Sequence, residues 1–309
     1  MEKYDLAIVG AGPAGMSAAL FAEGDGLNFR IIEKEEPCGF VEEVINTKFT
    51  NLENYLGLYD ISGTQVARIF REHLNSRGIP ISKEEVNDIS FDHGTFQFYS
   101  ERDSYSSKAI ILATGTKPKK LIVPGIESIP NRAHYRADQK FPTYLDHQVL
   151  VVGGRNTGAV TAVRLKEQGI HPIIIEKAKD STAKEKYLAR LRDLSIPLLT
   201  NSYLERILGD GEISEVQLTI KDQPKIMNPI AIFSCIGYEP NNELALKLGL
   251  KVDDYGYIEV DRKMQTSKEG VFAAGDVNGG VKMIAVASGE GATAEYYANL
   301  FVRQKWKRE

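Results

Sequence analysis

Cysteine is almost missing from this chain. Cys38 and Cys235 are the only two in 309 residues, too few and too far apart for a disulfide framework. Histidine is scarce as well. His73, His93, His147 and His171 show no metal-ligand spacing, and His134 has no partner in its stretch, so no metal site is expected. No apolar run reaches the roughly 18 residues that a membrane-spanning helix needs. Met1 to Asp5 lead straight into an apolar strand, which leaves no room for a signal peptide. An excess of one charge is also wanting: the net charge is -4, and no aromatic-basic motif accompanies it, which sets nucleic acid aside. The expectation is a cytoplasmic chain without membrane or nucleic-acid partners. What is present is 42% hydrophobic and 26% charged residues, enough to bury a sizeable core. The length suggests about two domains.

The first informative stretch is Ala7-Ile8-Val9-Gly10-Ala11-Gly12-Pro13-Ala14-Gly15, an apolar strand running into a glycine turn. The spacing is that of a dinucleotide-binding turn. Gly10 permits the tight bend, Gly12 lets a pyrophosphate approach the backbone, and Gly15 lets the next helix lie close on the sheet. Pro13 suits a first helical position, and the amides of that helix N-terminus would face the phosphates. An alanine-rich helix is predicted over Met16 to Glu23, then a strand from Asn28 ending at Glu33. Glu33 lies 23 positions after Gly10, where a carboxylate can hold an adenosine ribose.

The design recurs once. Tyr4 to Lys34 matches His147 to Lys177 at a constant offset of 143, with Ile31-Ile32-Glu33-Lys34 returning as Ile174-Ile175-Glu176-Lys177. Two βαβ units of one kind imply two nucleotide-type domains. Between them, Gln65 to Arg77 has helical spacing, residues 79 to 107 read as short strands, and Ala109 to Gly115 as a buried strand ending at glycine. Val123-Pro124-Gly125 and Gly237-Tyr238-Glu239-Pro240-Asn241 punctuate the crossings between domains. Gly270 to Val277 reads as a strand with Asp276 at its end, and 286 to 302 as a helix. Gly275 is read as allowing a ligand close to the backbone, and the only competing role for Asp276 is that of a helix cap.

The order GAGPAG, ILATGT, a second GG turn, CIGYEPN and VFAAGDV resembles the low-molecular-weight thioredoxin reductase family of flavoproteins along essentially the whole chain. The resemblance implies an α/β fold of two Rossmann-like, three-layer nucleotide-binding domains. The FAD-binding domain would be discontinuous, 1–113 with 240–309, and 114–239 would be a nicotinamide-nucleotide-binding-like domain. It also implies a homodimer. Carried over by position, Asp276 would bond the flavin ribitol and Glu33 the adenosine ribose. Asn54 and the backbone at Met283 and Ile284 would lie beside the isoalloxazine ring. The implied cofactor set is Gly10, Gly12, Pro13, Ala14, Gly15, Glu33, Lys34, Cys38, Gly39, Asn54, Thr114, Gly115, Gly275, Asp276, Met283 and Ile284.

Three departures qualify the resemblance. Thioredoxin reductases carry C-x-x-C before the second glycine turn, where this chain has His134-Tyr135-Arg136-Ala137-Asp138-Gln139-Lys140. A dithiol relay needs two neighbouring sulfurs, so thioredoxin reduction by that route is excluded. The stretch is similar to ferredoxin–NADP reductases of the thioredoxin reductase type, where a His-Tyr pair can stand. Second, the repeat of the glycine turn is Gly153-Gly154-Arg155-Asn156-Thr157-Gly158, so Arg155 replaces the glycine that phosphate approaches. The second nucleotide site is therefore degenerate. Third, Glu176 ends the second strand, where it would repel a 2′-phosphate. NADH is admitted and NADPH disfavoured, and the lost glycine approach argues against productive binding of either.

Among single residues, Cys38 is either a flavin-adjacent thiol or a small loop residue, and Cys235 an inert buried one. Tyr55 and Tyr135 either stack on the flavin or simply pack in the core or a loop. The basic tail from Arg303 to Arg308 either docks an acidic electron carrier or is a solvated helix end. The leading reading is an FAD-dependent oxidoreductase that exchanges electrons with a small redox protein, ferredoxin or flavodoxin, without a disulfide of its own. An NADH-dependent flavin reductase or oxidase is one alternative, and a non-catalytic flavin-binding sensor or assembly protein is another.

Overall fold

The computed structural model describes residues 2–44, 51–137 and 140–304. The chain forms two compact units, Met1–Lys117 with Glu239–Glu309, and Pro118–Tyr238.

The first unit opens with β1 (Glu2–Val9), α1 (Pro13–Gly24) and β2 (Phe29–Glu33). β1 pairs in parallel with β2. α1 begins at Pro13, three residues before the predicted start, because proline at the first position needs no donor. α2 (Gly39–Val44) follows, and Gly39 opens it. α3 (Gly63–Ser76) is held at its start by a capping box: Ser62 Oγ accepts the Gln65 N–H and Gln65 Oε1 accepts the Ser62 N–H. Then come β3 (Ile81–Lys83), β4 (Val86–Asp92), β5 (Thr95–Ser100) and β6 (Ser104–Leu112). The sheet order is β3-β2-β1-β6-β5-β4. Consecutive residues of β1 serve opposite cores. Leu6 and Ile8 pack with α1 and α3, while Ala7 and Val9 pack with Phe96, Phe98 and Tyr105. That is why the strand is apolar at every position from Leu6 to Val9. β7 (Thr116–Pro118) leads out of the unit.

The second unit comprises β8 (Ala133–His134), β9 (Gln148–Val152), α4 (Asn156–Glu167), β10 (His171–Ile175), α5 (Glu185–Asp193), β11 (Leu198–Leu199), β12 (Ser202–Asp210), β13 (Glu212–Ile220), β14 (Gln223–Met227) and β15 (Ala231–Ser234). Its parallel sheet has the order β11-β10-β9-β15-β8, beside an antiparallel sheet β12-β13-β14. Val149 and Val151 pack with α4, and Leu150 and Val152 with Leu204, Val216 and Leu218.

The chain returns through β16 (Tyr238–Pro240), which pairs with β7, and α6 (Glu243–Lys247). β17 (Val271–Ala273) then adds to β6 in parallel, and α7 (Ile284–Val302) packs along α1. β17 ends three residues before Asp276, which instead opens a single 3-10 turn, Asp276–Asn278. No helix among the described residues is long and apolar enough to cross a membrane.

Candidate functional site

The glycine turn has the geometry its spacing predicts. Gly10 has φ +106°, and a Cβ there would lie 2.2 Å from the Ala113 carbonyl oxygen. A Cβ on Gly15 would lie 1.8 Å from the Gly10 oxygen, so α1 crosses β1 with backbone against backbone. A Cβ on Gly12 would meet no atom within 4 Å. Among the described residues the Gly12 backbone is thus open at the α1 N-terminus, where unpaired amides favour an anion. Behind the turn, Glu33 accepts the Ala11 N–H (2.7 Å) on one carboxylate oxygen and the Glu35 N–H (2.9 Å) on the other. Those bonds fix the carboxylate at the end of β2. Lys34 beside it is exposed.

Asp276 belongs to the same unit. Its carboxylate receives no hydrogen bond from the described residues and caps no helix. Burial pushes its pKa up, Lys282 opposes this, and the nearby Glu290 adds to it. Gly275 before it has φ +82°, and a Cβ there would come 3.0 Å from the Ala14 Cβ, so glycine here also serves a close approach to α1. Asn54 and Met283 come together, with Asn54 Nδ2 4.0 Å from Met283 Sδ, and Met283 is the residue at the head of α7 before Ile284. Thr114 and Gly115 follow β6. Thr114 Oγ1 donates to the Asn241 carbonyl (2.7 Å), and Asn241 Nδ2 donates to the Thr114 carbonyl (2.7 Å). Asn241 stands in the crossing that the sequence marks, but its bond to Thr114 has no local signal, and Glu290 has none, since each acts on a turn distant in the chain.

A glycine turn before α1, a fixed carboxylate after β2 and a half-buried carboxylate with no hydrogen-bond partner among the described residues fit a dinucleotide bearing hydroxyls and a pyrophosphate. FAD meets that description.

The second unit repeats the arrangement. Gly153 has φ +105°, and a Cβ there would lie 2.4 Å from the Cys235 oxygen. Glu176 accepts the Gly154 N–H (2.7 Å) and the Ala178 N–H (3.0 Å), as Glu33 does in the first unit. Arg155 precedes α4 at φ −82°, ψ −167°, beside −76°, −175° for Gly12. The arginine therefore holds the same backbone without strain, and its exposed side chain stands where the first unit is open. Asn156 Oδ1 accepts the Lys184 N–H (2.8 Å), and Thr157 lies in the first turn of α4.

The cysteines are not poised for chemistry. Cys38 is buried, and burial pushes its thiol up to about 12, with Arg71 opposing. Cys235 follows β15 rather than lying in it. Burial raises its thiol to about 11, against a 3.5 Å contact with Thr161 Oγ1. Tyr55 packs edge-on against Phe70, with ring centroids 6.1 Å apart. The Tyr135 hydroxyl accepts the Leu121 N–H (3.3 Å) and its ring joins the core of the second unit. His134 has a partner that its own stretch does not reveal. Its Nε2 lies 2.8 Å from the Tyr144 hydroxyl, its ring stacks on Phe233, and burial, then Arg132, lowers its pKa. Asp138 and Gln139 lie outside the described residues, as do Lys305 to Arg308 of the basic tail. Arg303, the first of that tail, donates to Asn299 Oδ1 (2.6 Å) and the Asp25 carbonyl (2.5 Å). Among the described residues no cluster of His, Cys, Asp and Glu could hold a metal ion.

Residues 4–291 match the family described as pyridine nucleotide-disulphide oxidoreductase. The 34.2 kDa protein in the rubredoxin operon of Clostridium pasteurianum is 30% identical over 311 residues, covering 98% of this chain and 99% of its own. A ferredoxin–NADP reductase of Ignicoccus hospitalis is 30% identical over 307 residues, covering 97% and 98%. The crystal structure of T. acidophilum thioredoxin reductase superposes with a TM-score of 0.88 at 30% identity, over 99% of this chain and 100% of that one.

Proposed function

This chain belongs to the pyridine nucleotide-disulphide oxidoreductase family and is an oxidoreductase of thioredoxin reductase-like fold; from that premise we propose that it is an FAD enzyme that exchanges electrons with a small redox protein and has no disulfide of its own. The observation that carries the reading is the state of its sulfur. The two cysteines lie in different units, and burial holds each thiol far above neutral pH. A thiol that is not a thiolate does not attack a disulfide. A ferredoxin–NADP reductase and a protein of a rubredoxin operon among the relatives support a small redox protein as partner.

Bound FAD would supply the electron chemistry, and the protein its binding and electrostatics. Asp276 would accept a hydrogen bond from a ribitol hydroxyl, and Glu33 one from the adenosine ribose. The α1 N-terminus would face the pyrophosphate. The head of α7 after Met283 would direct its positive end toward the ring. Anaerobic titration of the purified yellow protein tests the reading. Reduced ferredoxin or flavodoxin is expected to bleach the flavin band, and NADPH is expected to leave it unchanged. Turnover of an ordinary thioredoxin with NADPH would overturn the reading. Resistance to every donor would point to a sensor instead.

A second reading, an NADH-dependent reductase, is favoured by Glu176, whose carboxylate is held as firmly as that of Glu33. On the first reading Arg155 fills the phosphate approach. Arg155→Gly should then gain NADH-dependent bleaching, with NADPH still poor because Glu176 repels a 2′-phosphate. Should wild-type protein bind NADH as tightly as the variant, Arg155 is a phosphate ligand and the second reading takes first place.

A further inference from the structure

We propose that Glu290 is a positioning residue that sets Asp276 for the dinucleotide; the inference rests on the FAD reading above. Glu290 lies in the second turn of α7, outside every motif that marks the nucleotide site. Its Oε2 accepts two hydrogen bonds, from the Gly275 N–H (2.8 Å) and from Asn278 Nδ2 (2.9 Å). One oxygen thus ties the residue before Asp276 and the residue two after it to α7. Asn278 passes the constraint on, since its Oδ1 accepts the Gly280 N–H (3.0 Å). The turn needs such a tie. Gly275 stands at φ +82°, a conformation that the free chain has no reason to keep. The Asp276 carboxylate makes no hydrogen bond to the described residues that would orient it. Its direction is therefore set by the backbone of the turn, and Glu290 holds that backbone.

Glu290 also carries charge. The charged groups that act on Asp276 are Lys282, which favours its ionised form, and Glu290, which disfavours it. The geometric and electrostatic parts separate by substitution. Both hydrogen bonds reach the same oxygen, so the amide oxygen of Glu290→Gln can accept both while the charge is removed. Glu290→Ala removes both parts.

The experiment is a double-mutant cycle on FAD affinity, read from flavin fluorescence, with far-UV circular dichroism as the check on folding. Asp276→Ala sets the scale: loss of a charge-assisted bond weakens FAD by about 10-fold to 100-fold. Glu290→Ala should weaken it by about tenfold or more, and the double variant should be no worse than Asp276→Ala alone. Glu290→Gln should stay within about threefold of wild type while the pH midpoint of FAD binding moves down, since Asp276 then ionises more easily. Additive losses would overturn the inference, as would a Glu290→Gln variant as weak as Glu290→Ala or a Glu290→Ala variant equal to wild type. Wild-type protein that binds no FAD would bring down the FAD reading itself, an outcome distinct from those three.

Discussion

Gly291→Ala should cost the first unit about 3 kcal/mol or more, seen as a lower urea midpoint at unchanged slope. Gly291 lies in α7, and a Cβ there would come 2.0 Å from the Ala14 carbonyl oxygen and 2.9 Å from its Cα. All three nearest atoms are backbone of the first turn of α1. No rotamer can relieve that contact, so the helices would have to part by about an ångström along their seam. On the FAD reading the first turn of α1 would face the pyrophosphate, so the variant should also lose the cofactor. Gly289→Ala is the control on the same helix. A Cβ there meets nothing within 4 Å, so the better helix former should be neutral or stabilise by about 0.5–1 kcal/mol. Equal midpoints for the two variants would show that the seam is not as tight as described.

Glu295→Gln should act in the opposite direction, and only above a certain pH. Glu295 is fully buried on α7, and neither carboxylate oxygen has a hydrogen-bond partner among the described residues. Burial raises its pKa to about 7, Asp25 adds to the rise, and Arg303 opposes it. In the unfolded chain a glutamate titrates near 4.3. The folded protein therefore holds the proton more tightly. The stability linked to that proton is fully present below about pH 4.3 and is lost as the pH rises through about 7. The loss amounts to about 4 kcal/mol. Glutamine carries no such charge, so the difference between variant and wild type should be near zero at pH 4.5. It should grow to about 3–4 kcal/mol in favour of the variant at pH 8. A difference independent of pH would mean that Glu295 finds a partner on ionising.

Much of the nucleotide architecture was legible in the residues. Gly10 and Gly15 stand where a tight bend and a close helix crossing demand them, and the offset repeat places Glu33 and Glu176 on matching amides. Such features are local: a βαβ unit writes its turn, helix and carboxylate within about 30 residues. Gly275 was legible as special, but its crowding against Ala14 was not, because Ala14 is far away in the chain. The bond of Asn241 to Thr114, the role of Glu290 and the pairing of His134 with Tyr144 were not legible, because each depends on what a distant segment brings beside the residue. Glu295 gave no sign either. A glutamate in an alanine-rich helix reads as a solvated face until the packing of α7 on α1 shows that face buried.

The bonds between Thr114, Gly115 and Asn241 bear on modularity. All three residues belong to the first unit, and they close the gap through which the second unit is inserted, with the Asn241 N–H donating to the Gly115 carbonyl at 3.0 Å. The two ends of the insertion are thus fastened to each other independently of what lies between them. In polymer terms, the first unit sees a loop whose closure is already enforced at its neck. Lengthening such a loop costs only about 0.6 kcal/mol per doubling. Replacing residues 118–238 by a short flexible linker would leave that neck in place. At that neck, by this argument, the length of the insertion should matter little to the first unit.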